Sequence, residues 1–504
     1  MNTSRTGFLP TALCLAVFIL QRCRFFQKIV VSGCLTAFGS SFLLAQGPLT
    51  PPGAPAPTMK TLDQVEPRIP IDATNTPGDA DSVFRINQPG SYYLAGNVTG
   101  VSGKKGIEIN TDDVSLDLNG FVLDGVPGSL AGVFVLAGTN IHIRNGTVRN
   151  WGGEGVRCGF GSYSVFEGLR LYKNGAHGLR AGGGSIVRDC AASYNAGSGF
   201  TFSFTTGSEN ADEDVLENCF ATGNGADGFT LRGAAMTNCN ARVNTGHGIV
   251  TTLGSTIQGC VTSGNAGDGI NAAAGSTLTN CTAKDNTGTY GIFAGEGSTL
   301  TNCTAFSNDV EHGIHAELRS TVTTCTASGN NSAAADSWGI SVGAQCTVSD
   351  CTASANLNTN GTPDGSTGGG ILAGASSTVK DCTAVGNKGD GIQIGSDSRV
   401  VGNNCDSNGF PVGAGDGAGI HSTGADNRIE GNNVTDNTRG IDVNSSGSLI
   451  IKNSAAGNGT NYEIAANNIF GSIVDRVGQL VPAVSGNSAG SSAGTTDPWA
   501  NFSY

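Results

Sequence analysis

An all-β solenoid of short stacked coils is the fold class this sequence predicts, and three observations predict it. Gly makes up 78 of 504 residues, while charged residues are 13% and aromatic residues 6%. Without a Gly-X-Y period, that composition suits a turn-rich chain of short strands and excludes collagen. A unit of about 21–22 residues repeats along most of the chain, and such a period marks a repeat architecture. Within each unit, cysteine and asparagine stand at fixed columns.

Residues 1–45 read as an export segment. Arg22, Arg24 and Lys28 precede an apolar run that closes on Leu43-Leu44-Ala45, a signal-peptide pattern that makes Gln46 the expected mature start. An earlier apolar run, 8–20, is short for a membrane span, so the mature chain is expected to carry none and to be secreted or displayed at the cell surface. The net charge of −13 becomes −17 once Arg5, Arg22, Arg24 and Lys28 are removed. With no basic stripe to collect phosphates, nucleic acid is excluded as a partner. Residues 46–70 hold seven of the fifteen prolines and read as a linker. Residues 71–124 read as an N-terminal cap with the first strands, among them Ser82-Val83-Phe84-Arg85-Ile86, followed by the turn signal Asn119-Gly120.

The repeats occupy 125–470. Gly269-Ile270 opens one unit, GINAAAGSTLTNCTAKDN, and Gly291-Ile292 the next, GIFAGEGSTLTNCTAFSN. Cys recurs at 190, 219, 239, 260, 281, 303, 325, 351 and 382, and five places after each stands an Asn: 195, 224, 244, 265, 286, 308, 330, 356 and 387. The Asn column extends back to Asn174 and Asn150 and forward to Asn408, Asn437 and Asn458, giving fourteen expected rungs. This period fits one coil of three short strands and three turns, stacked at the inter-strand spacing of about 4.8 Å. Leu278, Cys281, Ala283 and Ile292 are expected to face inward. The ladder Asn is expected to take the left-handed turn conformation and to bond its amide to the Asn of the next coil. The Cys column is expected to hold mostly free, buried thiols, because equivalent side chains on stacked coils point the same way rather than toward one another.

These columns and the Gly-Ile and Gly-Leu pairs resemble the right-handed parallel β-helix superfamily, the fold of pectate lyases and polygalacturonases, over about residues 80–470. The resemblance implies a right-handed parallel β-helix of about fourteen or more coils. It also implies an extracellular polysaccharide as partner and, if the chain is an enzyme, a polysaccharide lyase or glycoside hydrolase. The polygalacturonase pattern is not reproduced: Asn110-Thr111-Asp112-Asp113 and Gly246-His247-Gly248 lie about six coils apart, and Arg-Ile-Lys is absent. Calcium, which pectate lyases bind through clustered aspartates, stays open as a cofactor. The one dense acidic group, Glu209, Asp212, Glu213 and Asp214, lacks ligand spacing, so no metal ligands are assigned.

The position before the repeated Gly supplies the catalytic candidates. Asp227, His247 and Asp268 fall there on successive coils, with Tyr290 and His312 following, and an acid–His–acid stack suits proton transfer. Asp, His and Ser also simply suit a tight turn before Gly. Arg180 and Arg232, with His177 nearby, are the candidates for binding anionic sugars through a guanidinium fork. Trp338, at the end of one insertion, is a candidate for stacking on a sugar or for covering the coil edge. The long insertions are 205–214, 331–338, 357–369 and 409–418. Thr277-Leu278-Thr279 and its copies at 299–301 and 321–323 form a flat Thr array that fits an ice-binding face, although β-propensity alone favours Thr there. Residues 471–504 are expected to cap the rod with Trp499, Phe502 and Tyr504. The two leading functions are therefore polysaccharide binding or processing and, as the rival, a non-catalytic surface or adhesion rod.

Overall fold

Each repeat becomes one coil of three strands because its apolar residues alternate inward over short runs and are interrupted at three fixed places. A computed structural model describes residues 66–159, 163–202, 214–332, 337–358, 368–409, 417–475 and 496–504. The export segment, most of the linker and half or more of every long insertion lie outside the described residues. In one central coil the strands Ile270–Ala272, Thr277–Thr279 and Thr282–Lys284 are joined at corners occupied by Ser276, Cys281 and Asn286, all buried. Ile270, Ala272, Leu278 and Ala283 fill the interior between them. Among the described residues there is no helix.

Every strand pairs in parallel with its counterpart one coil away. Among the described residues, seventeen strands form one sheet, thirty-four form the other two walls, and Asn331–Ser332 pairs separately with Leu357–Asn358. Seventeen coils at about 4.8 Å per step make a stack about 77 Å long, longer than the fourteen-rung count. The Gly before each first-sheet strand is required by stacking: a Cβ on Gly269 would lie 2.5 Å from the Gly291 carbonyl oxygen.

The asparagine ladder is present and buried. Asn265 Oδ1 accepts from the backbone N–H (3.0 Å) and side-chain amide (2.9 Å) of Asn244, while Asn265 Nδ2 donates to Ala241 O and to Asn286 Oδ1. The chain of side-chain bonds runs from Asn174 to Asn458. Two expectations are corrected here. The left-handed residue is not the ladder Asn but the residue before it, as at Asp285 (φ 55°) and Tyr194 (φ 55°). One left-handed residue redirects the chain between strands, and the next side chain then points inward, where its amide reaches the coils on both sides. Asn150 is itself such a left-handed residue (φ 60°) and is exposed. The corner there belongs to buried Trp151, whose backbone N–H donates to Asn174 Oδ1.

The other two corners are ladders as well. At the cysteine corner the sulfur does what the amide does elsewhere. Cys325 Sγ accepts from Cys303 N–H at 3.4 Å, and the Cys281 thiol donates to the Ile257 carbonyl at 3.4 Å. From residue 403 onward Asn replaces Cys at this corner, and Asn403, Asn432, Asn453 and Asn501 form a second amide ladder. The twelve described cysteines are buried thiols, none of them in a disulfide. Burial in this apolar interior pushes the thiols of Cys346 and Cys405 above their ordinary value. The third corner is a serine ladder in which Ser255 N–H donates to Ser276 Oγ, Ser276 to Ser298 and Ser298 to Ser320.

The C-terminal tail joins the stack. Its strand, Asn501–Ser503, lies between Ser454–Ala456 and Ile473–Asp475, and Asn501 ends the second amide ladder.

Candidate functional site

The seventeen-strand sheet turns one outward column of side chains to its surface, and the position before each Gly adds a second column beside it. The described feet of the insertions at 331–338, 357–369 and 409–418 all leave the turn that leads into this face. Two columns of chemically varied side chains thus share one wall.

Asp227, His247 and Asp268 are brought into contact on successive coils. Asp227 Oδ1 accepts the His247 backbone N–H at 2.8 Å, and His247 Nδ1 accepts the Asp268 backbone N–H at 2.9 Å. Asp268 Oδ1 in turn accepts the backbone N–H groups of Thr289 and Tyr290, and Asn271 donates to its other oxygen. The column therefore works as an acceptor ladder that ties coil to coil. It also fixes the imidazole, because His247 Nδ1 lies 3.3 Å from Asp268 Oδ2 while the ring stays well exposed. The Asp268 carboxylate beside Nδ1, which can accept from the ring once it is protonated, raises the His247 pKa above its ordinary value. Burial works against ionisation of Asp268, yet the bonds from His247, Tyr290 and Asn271 prevail and hold its carboxyl below the usual range. His247 is thus an oriented imidazole on an open face, the arrangement that acid–base chemistry requires.

The other predicted residues are placed differently. His177 lies earlier in the same column, with Nδ1 accepting the Ser198 backbone N–H at 3.0 Å, and burial lowers its pKa. Arg180 is in the outward column next to Arg157, and both guanidinium groups lie 3.8 Å from Glu154. Arg232 does not join them: the register partner of that column is Thr230, and Arg232 follows the strand Phe229–Leu231. Trp338 is 5% exposed, and its ring fills the space that a Cβ on Gly369 would need. Asp214 is buried at the serine corner, where it accepts the Ser185 N–H; Glu209, Asp212 and Glu213 lie outside the described residues. Among the described residues no three His, Cys, Asp or Glu side chains are arranged to hold a metal, and no helix is long and apolar enough to cross a membrane. The Thr array at 277, 299, 321 and 347 is in register on a different wall.

Two features of the wall escaped the sequence reading. Next to Asp268, four half-buried rings form a continuous platform: Tyr290, Phe293, His312 and His315. Tyr290 stacks on His315 (centroids 5.2 Å, 24°), Phe293 on His315 (5.7 Å, 17°) and His312 on His315 (5.3 Å, 20°). Burial lowers the pKa of both imidazoles, that of His312 to about 4, so both rings are neutral near pH 7. Four coils beyond His315 lies a buried charge cluster. His421 Nδ1 donates to Asp390 Oδ2 at 2.7 Å, and its Nε2 stands 2.8 Å from the Asn444 amide and 3.9 Å from Asp442 Oδ2. Arg439 bonds Asp442 at 2.5 Å and reaches Glu463 at 3.4 Å. The signal for both was the third residue after the pre-Gly position, which holds Phe293, His315, His421 and Asp442 in one register column.

A family model described as right handed beta helix region matches residues 131–287, 208–332 and 278–458. No curated protein matches the chain. Among solved structures, the mannuronan C-5 epimerase AlgE4 A-module of Azotobacter vinelandii is similar, with 14% identity over 67% of this chain and 91% of that one, at a TM-score of 0.34. Tailspike protein 3 of bacteriophage CBA120 is similar at 12% identity over 83% and 65% (TM-score 0.33). The endo-xylogalacturonan hydrolase of Aspergillus tubingensis is similar at 11% over 68% and 91% (TM-score 0.21). The model matches cover more than half of the sequence in overlapping blocks along the stacked coils, and the chain therefore belongs to the right-handed β-helix family.

Proposed function

We propose that this chain is an exported β-helix that binds extracellular polysaccharide along the outward wall of its seventeen-strand sheet. The platform of Tyr290, Phe293, His312 and His315 carries the reading. Flat, half-exposed rings on a rigid sheet offer apolar area to a sugar face at little conformational cost, and the neutral imidazoles add polar nitrogens at their edges. A linear polymer suits a wall whose side chains repeat at every coil. His247, next to the platform and held by Asp268, is the group placed to move a proton if the polymer is also processed.

The test is binding of the purified chain to a panel of acidic and neutral polysaccharides, with and without calcium. Unsaturated products and new reducing ends are followed in the same samples. Tyr290→Ala with Phe293→Ala is expected to weaken binding about tenfold or more, at about 0.5–1.5 kcal/mol per lost ring contact, while leaving the fold intact. If His247 acts in processing, His247→Ala abolishes product formation and spares binding. No binding by the folded protein across the panel refutes the proposal and leaves the non-catalytic rod.

A further inference from the structure

The aromatic platform stands in a negative field. Glu311 precedes His312 in the chain, and Glu317 lies two residues beyond His315. Both are exposed, and among the described residues neither side chain has a hydrogen-bond or ion-pair partner. The charges of Glu311, Asp268 and Glu317 reach the Tyr290 hydroxyl, where they add to the rise in pKa that burial causes. Burial keeps the imidazoles of His312 and His315 neutral near pH 7, so neither repels a cation. Arg319 is paired with Glu296, and any charge that His247 gains is matched by Asp268, 3.3 Å away.

The rest of the wall has the same sign. Along ten consecutive coils, from Thr201 to His421, the outward column has no Lys or Arg. The column before the Gly has none from Ser198 to Ala418 and carries Asp227, Asp268 and Asp390. Arg232 and Lys388 lie in bends outside both columns. A linear polymer laid along this stretch therefore meets ring faces and carboxylates, with no guanidinium or ammonium from either column. A polyuronate, with a carboxylate on every sugar, finds like charge there.

We propose that the ligand of the platform is a polysaccharide bearing protonated amino groups, drawn to the Tyr290 and Phe293 faces and to the carboxylates of Glu311 and Glu317. The inference rests on the reading of this wall as a polysaccharide site and names its substrate class. A cation over an aromatic face is attracted by the charge distribution of the ring, and carboxylates without partners in the chain are open to an external one. An uncharged sugar uses the rings alone.

The test is titration of the full purified chain with glucosamine oligosaccharides, their N-acetylated forms, polygalacturonate and oligolysine, matched in length, at a pH where the amines are charged. The N-acetylated form keeps the sugar chain and removes the charge. The amino form is expected to bind about fivefold or more tightly than the acetylated form, with added salt narrowing the difference. Glu311→Gln with Glu317→Gln is expected to weaken the amino form about threefold or more and to leave the acetylated form unchanged. Asp350→Asn with Asp381→Asn, both exposed on the other walls, changes neither. Equal or tighter binding of the acetylated form or of polygalacturonate overturns the proposal. Oligolysine binding as tightly as the glycan overturns it too, as does a loss no larger for the Glu pair than for the Asp pair. If the acetylated form or polygalacturonate binds best and Tyr290→Ala with Phe293→Ala abolishes that binding, the polysaccharide reading stands and this inference falls. No binding to any glycan removes both.

Discussion

Replacing His421 by Leu tests the buried charge cluster most directly. Asp390, His421 and Asp442 are 4%, 8% and 0% exposed; Asp390 pairs with His421, while Asp442 and Glu463 share the guanidinium of Arg439. The His421 ring donates through Nδ1 to Asp390 Oδ2 and, when protonated, adds a positive charge to the cluster. Its removal leaves a buried carboxylate oxygen without its donor, beside an Asp442 whose Oδ1 already lacks a partner. Breaking a buried pair in this way costs about 3–5 kcal/mol, which is about two to four powers of ten in the local opening equilibrium. A solenoid couples mainly neighbouring coils, so the loss is confined to the coils around residues 390–464. Amide hydrogen exchange resolves this: strands Ala418–Ser422, Arg439–Val443 and Thr460–Ile464 are expected to exchange at least about a hundredfold faster, while Ile270–Ala272 stays protected. The pH dependence has a definite sign. Burial alone would lower the His421 pKa, but the bond to Asp390 and the charges of Asp390 and Asp442 raise it. A raised pKa contributes stability fully below the ordinary value of about 6.5. That stability is lost as pH rises through the folded value. Desolvation raises the Asp442 pKa as well, which gives a loss in the same direction above the ordinary aspartate range. In wild type, protection of these coils therefore falls on going from neutral to alkaline pH, after correction for intrinsic exchange. Unchanged exchange in the variant, or an equal rise along the whole rod, refutes the reasoning.

Three further outcomes are expected. Asn265→Ala removes four ladder bonds and leaves buried partners on Asn244, Asn286 and Ala241; the cost is at least about 3 kcal/mol in chemical denaturation, whereas Asn150→Gly, outside the ladder at a left-handed position, leaves stability within about 0.5 kcal/mol. Native protein is expected to show no labelling of its described cysteines by an aqueous thiol reagent, with full labelling on unfolding; rapid native labelling would contradict their burial. Deleting residues 497–504 removes the strand Asn501–Ser503 and the last rung of the second amide ladder, and a lower melting temperature with faster exchange at Ser454–Ala456 is the expected result.

The sequence alone determined the repeating coil, its three-strand outline, the inward Leu278, Cys281, Ala283 and Ile292, and the asparagine ladder. These follow from columns that recur every coil, since stacking converts equal sequence position into vertical neighbourhood. It also placed Asp227, His247 and Asp268 in one column, which stacking brings into contact. Position within a turn was harder: the column of Asn residues did not reveal that the left-handed residue is the preceding one, whose identity varies among Gly, Asp, Ser, Lys, Tyr194, Ala355 and even Val243. A backbone state that many residue types can adopt leaves no letter to read. Only the tertiary structure decided which outward residues form a platform, since Tyr290, Phe293, His312 and His315 combine two columns whose separation depends on how the chain bends into each strand. The same holds for Asp390 and His421, which come from different coils and different columns. Register along the rod is periodic and therefore legible in one dimension; proximity across columns is set by corner geometry, which the stacked backbone alone supplies.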